Sequence, residues 1–186
     1  MSLYALILFI HVAGAFFVFG GMVLEWLAVG YLRKDPDRAE MGRWLHLAAL
    51  ASRFYGPALG VVLFSGGYLA SKMGGNQGWI LVSFVTLFVI GLIGLLFTSR
   101  RIRDIRKVVA ENAEGISTPL ESLLHDPVLV ASVRLRLALV FGVLLLMVSK
   151  VNLTPSLITL AGATALGLIA ALPAWRRRLR RAKTVS

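Results

Sequence analysis

Few side chains in this sequence could do chemistry, and most of those lie inside apolar stretches. His11 is the foremost. It sits in the run Leu8-Phe9-Ile10-His11-Val12-Ala13-Gly14-Ala15, and no charged side chain comes before Glu25. A neutral imidazole in hydrocarbon can ligate haem iron axially, relay protons, or simply hydrogen-bond to a neighbouring helix. The residue type alone leaves all three open. His11, Gly14, Val18, Gly21 and Glu25 recur at alternating spacings of three and four, so they share one helical face. That face combines small residues with two ionisable ones, the composition of a helix–helix seam rather than of a lipid-facing surface. Counting residues puts Glu25 and Arg53 at similar depths. An ion pair between them would neutralise two groups that are expensive in a bilayer; a role in proton transfer is the alternative.

The remaining polar groups are sparser. Arg134 and Arg136 open an apolar stretch, where they are expected to snorkel to the surface or to grip an anionic group such as a propionate or a phospholipid headgroup. His46 falls roughly 25 Å in depth from His11 at 1.5 Å per residue, too far to share one haem iron with it. With Trp44 it is expected to anchor at the interface, and His125 to be solvated. Met22 and Met147 fall in opposite halves and form no copper site. Ser83, Thr86, Ser132 and Ser149 read as helix-packing residues. The sequence contains no Cys, which removes disulfides, thiolate catalysis and thiolate metal sites. No carboxylate cluster or glycine-rich phosphate loop appears, so no hydrolase or transferase motif is present and no metal site is expected.

The elements that position these groups are membrane spans. Hydrophobic residues make up 58% of the chain and charged residues 16%, against about a quarter charged in soluble domains. About 20 apolar residues cross the hydrocarbon core, and five stretches qualify: 3–31, about 45–70, 79–98, about 128–149 and 153–175. The expected fold is all-α, one polytopic helix bundle with a four-helix core and a fifth C-terminal transmembrane helix. Nothing basic precedes Arg33, and the first apolar run outlasts the short core of a signal peptide, so an uncleaved first span is expected. Of the 20 Lys and Arg residues, only Lys72 and Lys150 fall on the far side of the alternating spans. The positive-inside rule then puts the N-terminus outside and the C-terminus in the cytoplasm of a bacterial inner membrane. The net charge of +11 is gathered against helix ends, which points to membrane lipids and not to nucleic acid as the partner.

Between the third and fourth spans lies an amphipathic elbow, about 100–125. Ile102, Ile105, Val108 and Val109 make an apolar stripe at helical spacing, and Glu114-Gly115 ends that helix. Thr118-Pro119-Leu120-Glu121 reads as a capping box with proline at the first helical position, predicting a short helix to about Leu124 that lies on the membrane surface. Asp126-Pro127 repeats the start signal for the fourth span. Asp35-Pro36-Asp37 marks a turn in the linker from Tyr31 to Arg43, and Gly74 and Gly75 sit in the loop from Ser71 to Gly78.

The stretch from Leu8 to Ala15, continued by Gly20-Gly21, resembles the first helix of a bacterial membrane superfamily. The order of later features extends the likeness: Arg53-Phe54-Tyr55-Gly56-Pro57-Ala58, Ser65-Gly66-Gly67, Gly78-Trp79, Arg100-Arg101-Ile102-Arg103 and Lys150. The likeness spans about residues 3–152. It is greatest to an uncharacterised family of predicted integral membrane proteins and more distant to the J-type protoporphyrinogen oxidases and the D-type copper resistance membrane proteins. In the oxidases the matching first-helix histidine is implicated in haem b binding, so the resemblance implies haem b as a cofactor with His11 as its axial ligand. Ser83 stands where the oxidases carry a third-helix lysine, so their reaction does not carry over. The fifth span is a further departure, and the copper-resistance motifs are not reproduced.

The leading expectation is therefore a haem-b-binding, redox-active inner-membrane protein with His11 as ligand. A small transporter with His11, Glu25 and Arg53 lining a polar path is the second reading. A non-catalytic accessory subunit is the third, its elbow and basic tail docking a membrane-protein partner. The fifth helix, through Gly162 and Gly167, could also bring two copies together.

Overall fold

In the computed structural model, residues 2–34, 37–73, 77–111 and 118–184 are described, without the side chains of Arg38, Thr118, Pro119 and 176–184. The turn at Asp35-Pro36, the Gly74-Gly75 loop and the helix end at Glu114-Gly115 lie outside them. The helices are α1 (Leu3–Leu32), α2 (Arg38–Met73), α3 (Gly78–Ile93), α4 (Ser99–Glu111), α5 (Thr118–Leu124), α6 (Pro127–Ser149) and α7 (Leu153–Thr184). A π-helical turn, Gly94–Thr98, joins α3 to α4 without a break. Five helical stretches are long and apolar enough to cross a bilayer. Their outward faces carry side chains such as Phe64, 85% exposed, and Phe16, 74% exposed. Aromatic surface of that kind is stable in lipid and not in water.

α1 and α2 form the most intimate pair, and they run antiparallel. A Cβ added at Gly14 would meet Val62, one at Gly21 would meet Tyr55, and Ser52 lies beside Glu25, so one residue number falls as the other rises. The face expected for α1 is the one that packs: Gly14, Val18, Gly21 and Glu25 are all buried. Without a Cβ at Gly21 the backbone of α2 comes close, since that atom would sit 2.7 Å from Tyr55 Cβ and 3.3 Å from the carbonyl of Ala51. Small residues at such seams let van der Waals contact replace the hydrophobic drive that lipid removes. α6 lies at the centre of the bundle, against α1, α3 and the π turn on one side and α7 on the other.

Two elements depart from expectation. α2 begins at Arg38 and not near Leu45, because Asp37 caps it: Asp37 Oδ1 accepts from Glu40 N at 2.8 Å, satisfying a helix-end donor. Met41, Leu45 and Ala48 then continue one buried stripe into the bundle. The elbow, whose short helix is expected on the membrane surface, also packs into the bundle and closes one end of it. Ile102 and Ile105 of α4 and Leu120 and Leu124 of α5 pack into one apolar cluster with residues of α1, α2 and α6. Arg33 at the end of α1 donates from Nε to the carbonyl of Leu124 at 3.0 Å, and Arg101 pairs with Asp126 at 2.7 Å. The short helix and the start of α6 are where the capping signals put them: Asp126 Oδ1 accepts from Val128 N at 3.0 Å, with Pro127 in the first turn.

Candidate functional site

Two polar centres sit inside the bundle. The first lies between the apolar cluster under the elbow and a second cluster built on Val18, Met22, Tyr55, Leu59, Ile90 and Val140. Arg136 of α6 and Glu25 of α1 meet there, each side chain 1% exposed. Arg136 Nη2 donates to Glu25 Oε2 at 2.5 Å and to Thr98 Oγ1 at 3.0 Å. Its Nη1 donates to the Tyr55 hydroxyl at 2.6 Å, and Nε reaches the carbonyl of Ser132 at 3.4 Å. The Thr98 and Ser132 hydroxyls are 2.9 Å apart, and Ser52 Oγ stands 3.5 Å from Glu25 Oε1. A planar guanidinium with several donors in a fixed fork suits such a cluster.

The π turn makes room for it. A Cβ added to Gly94 would sit 2.7 Å from Arg136 Nη1 and 2.9 Å from the Tyr55 hydroxyl. The widened turn also places Thr98 so that its hydroxyl faces Arg136 instead of lipid. Such π turns recur at functional sites in helices. Here the result is a charge-balanced, closed cluster that ties α1, α2, the π turn and α6 together.

This pairing replaces the expected one. Glu25 pairs with Arg136, while Arg53 is exposed. The helical face separates the two arginines. The buried side of α2 runs through Ala48, Ala51, Tyr55, Ala58 and Val62, and Arg53 falls outside that series. Arg136, expected to snorkel or to grip an anion, is fully buried and held by Glu25. Arg134 faces the other way, where its Nη1 donates to the carbonyl of Ala170 on α7. Tyr55, Thr98 and Ser132 belong to the cluster and were not singled out as a site. An Arg on the α6 face that also carries Ser132 was the available signal.

The second centre surrounds His11, at the other end of the bundle from the elbow. His11 Nδ1 is 3.0 Å from Ser65 Oγ. The Ser65 hydroxyl also lies 2.5 Å from the carbonyl of Val61. The imidazole thus has a second group that orients it, as metal-binding imidazoles do. Gly66 makes room for the ring: its added Cβ would lie 3.0 Å from His11 Cε1.

The half-buried imidazole lines a cavity of 340 Å³ bounded by Leu8 of α1, Val62 of α2, Ser83 and Leu87 of α3, and Lys150 beyond α6. His46 is exposed on α2, beside Trp44, which stacks on Tyr31 at 4.4 Å. His125 Nδ1 stays close to the elbow, 3.1 Å from the carbonyl of Glu121. Neither approaches His11. Among the described residues no three His, Asp or Glu side chains gather to hold a bare ion.

Five apolar helices, an ion pair sealed between them and a lipid-facing exterior define a multi-pass integral membrane protein. The chain belongs to a family of predicted integral membrane proteins designated DUF2269, whose model matches residues 5–151. No curated protein and no solved structure matches it. The family region thus runs from α1 through α6, and α7 lies beyond it.

Proposed function

We propose that this is a haem-b-binding, redox-active protein of the bacterial inner membrane, with the elbow end facing the cytoplasm and His11 Nε2 as an axial ligand. The observation that carries this reading is the His11 imidazole, oriented by Ser65 and lining an apolar cavity. One imidazole cannot hold a bare transition metal ion against water, but it suffices where a macrocycle supplies the other ligands. Haem would supply one-electron chemistry there. The chain's own part is to orient the imidazole through Ser65, to fix the ring plane against Gly66, and to exclude water with Leu8, Val62 and Leu87. The charge asymmetry of the loops supports the orientation.

A polar path through His11, Glu25 and Arg53 has less to support it. Arg53 points away from the bundle, and apolar clusters close both sides of Glu25. Along α1, Glu25 also lies about 21 Å from His11 at 1.5 Å per residue. The test of the haem reading is spectroscopic. Protein purified in mild detergent from haem-replete cells is expected to show a stoichiometric b-type spectrum that shifts on reduction and is lost in His11→Ala. Colourless wild-type protein would overturn it.

A further inference from the structure

We propose that the cavity beside His11 recognises an amphipathic carboxylate, with Lys150 pairing the carboxylate and the apolar walls holding the body of the ligand. The inference deepens the haem reading by naming what is recognised apart from iron, but it stands on other residues.

The cavity is the first observation. Beyond His11 its walls are chiefly apolar, with Leu8 and Val12 of α1, Val62 and Leu69 of α2 and Leu87 of α3, so it suits the hydrocarbon body of a ligand.

Lys150 is the second. It ends α6 in the left-handed region, at φ 49°, a position where glycine is the usual choice. It lines the same cavity. Among the described residues every carboxylate lies in the second half of α1, beside the start of α2 or in the elbow, so none is placed to meet it. Lys72, the other cation at this end, lies 5.5 Å over the Tyr68 ring. Lys150 thus offers a charge that no described carboxylate matches, beside an apolar cavity. The complementary molecule has an apolar body and a carboxylate at one end. A haem propionate and a fatty acid from the bilayer both have that chemistry.

The test uses full-length, delipidated protein in detergent and two pairs of probes: hemin against its dimethyl ester, and cis-parinaric acid against its methyl ester. Lys150→Gly suits the left-handed backbone and removes only the charge. It is expected to weaken the free acid about 10- to 100-fold, the effect of losing a charge-assisted hydrogen bond, and to leave the ester unchanged. Lys150→Arg should retain the acid. Hemin binding with Lys150 dependence identifies a propionate as the carboxylate; parinaric acid binding with that dependence while hemin does not bind identifies a fatty acid and removes the haem reading but not this one. Hemin bound through His11, with no Lys150 dependence for hemin or for parinaric acid, leaves haem standing and overturns the inference. Binding of neither acid overturns both.

Discussion

Replacing Arg136 with methionine would leave Glu25 buried and unpaired between two apolar clusters. The structure assigns Arg136 four donated hydrogen bonds, to Glu25, Thr98, Tyr55 and the carbonyl of Ser132. With each charged side chain 1% exposed, neither can turn to water when its partner is removed. Breaking a buried pair from one side destabilises by about 3–5 kcal/mol, a shift of roughly two to three and a half orders of magnitude in the unfolding equilibrium. Glu25→Met should cost about the same, since it strands the guanidinium. The double variant should recover most of the loss, because well-packed apolar residues can replace a buried pair at little cost. Arg53→Met, on an exposed position, should stay within about 0.5 kcal/mol of wild type. Unfolding by SDS in mixed micelles, followed by tryptophan fluorescence and circular dichroism, measures all four variants. A stable Arg136→Met beside a strongly destabilised Arg53→Met would show that Glu25 pairs with Arg53 after all. Additive losses in the double variant would show that the two side chains are not coupled.

Gly94→Ala should destabilise by about 1–3 kcal/mol through crowding, because the new Cβ would meet Arg136 and Tyr55 at under 3 Å. Gly20→Ala, with nothing within 4 Å, should not; equal effects in the same SDS titration would refute the role given to the π turn. Ser65→Ala removes the hydroxyl beside His11 Nδ1 and, under the haem reading, should lower haem affinity about 10- to 100-fold while keeping a b-type spectrum. Unchanged affinity in a haem titration would count against that orientation.

The fold was legible in the sequence because two strong signals agree. Long apolar runs mark the spans, and the 3-4-3-4 spacing from His11 to Glu25 marks the face of α1 that meets α2. Asp126-Pro127 and Thr118-Pro119 likewise mark real helix starts, since capping is local chemistry. Depth could be counted too, which is why Glu25 and Arg53 were placed at similar levels. What counting along a chain does not give is the rotation of one helix against another. Arg53 and Tyr55 are two residues apart, yet one faces outward and the other joins the ion cluster. Ser83 and Ser132 looked alike as serines on apolar helices, and only the packing separates a hydroxyl held in a network from a serine that lines a cavity. The packing of the elbow was hidden for a related reason. An amphipathic stripe is satisfied equally by lipid and by the open end of a bundle, and the choice rests on tertiary geometry.

The placement of α7 gives the four-helix core a physical meaning. Every member of the ion cluster comes from α1, α2, the π turn or α6, so the electrostatic lock closes within the family region. α7 joins by other means. Gly167 brings it against Leu135 and Ala138, and Gly142 of α6 receives Ala163 and Leu160. Only the Arg134 hydrogen bond adds a polar tie. Gly167, one of the two glycines expected to serve a contact between copies, is thus used within the chain, while Gly162 faces open space. Small-residue packing is easier to gain or lose than a buried charge, because no group is stranded when the partner helix is absent. A helix attached in this way can vary around a core whose internal pairing must stay complete.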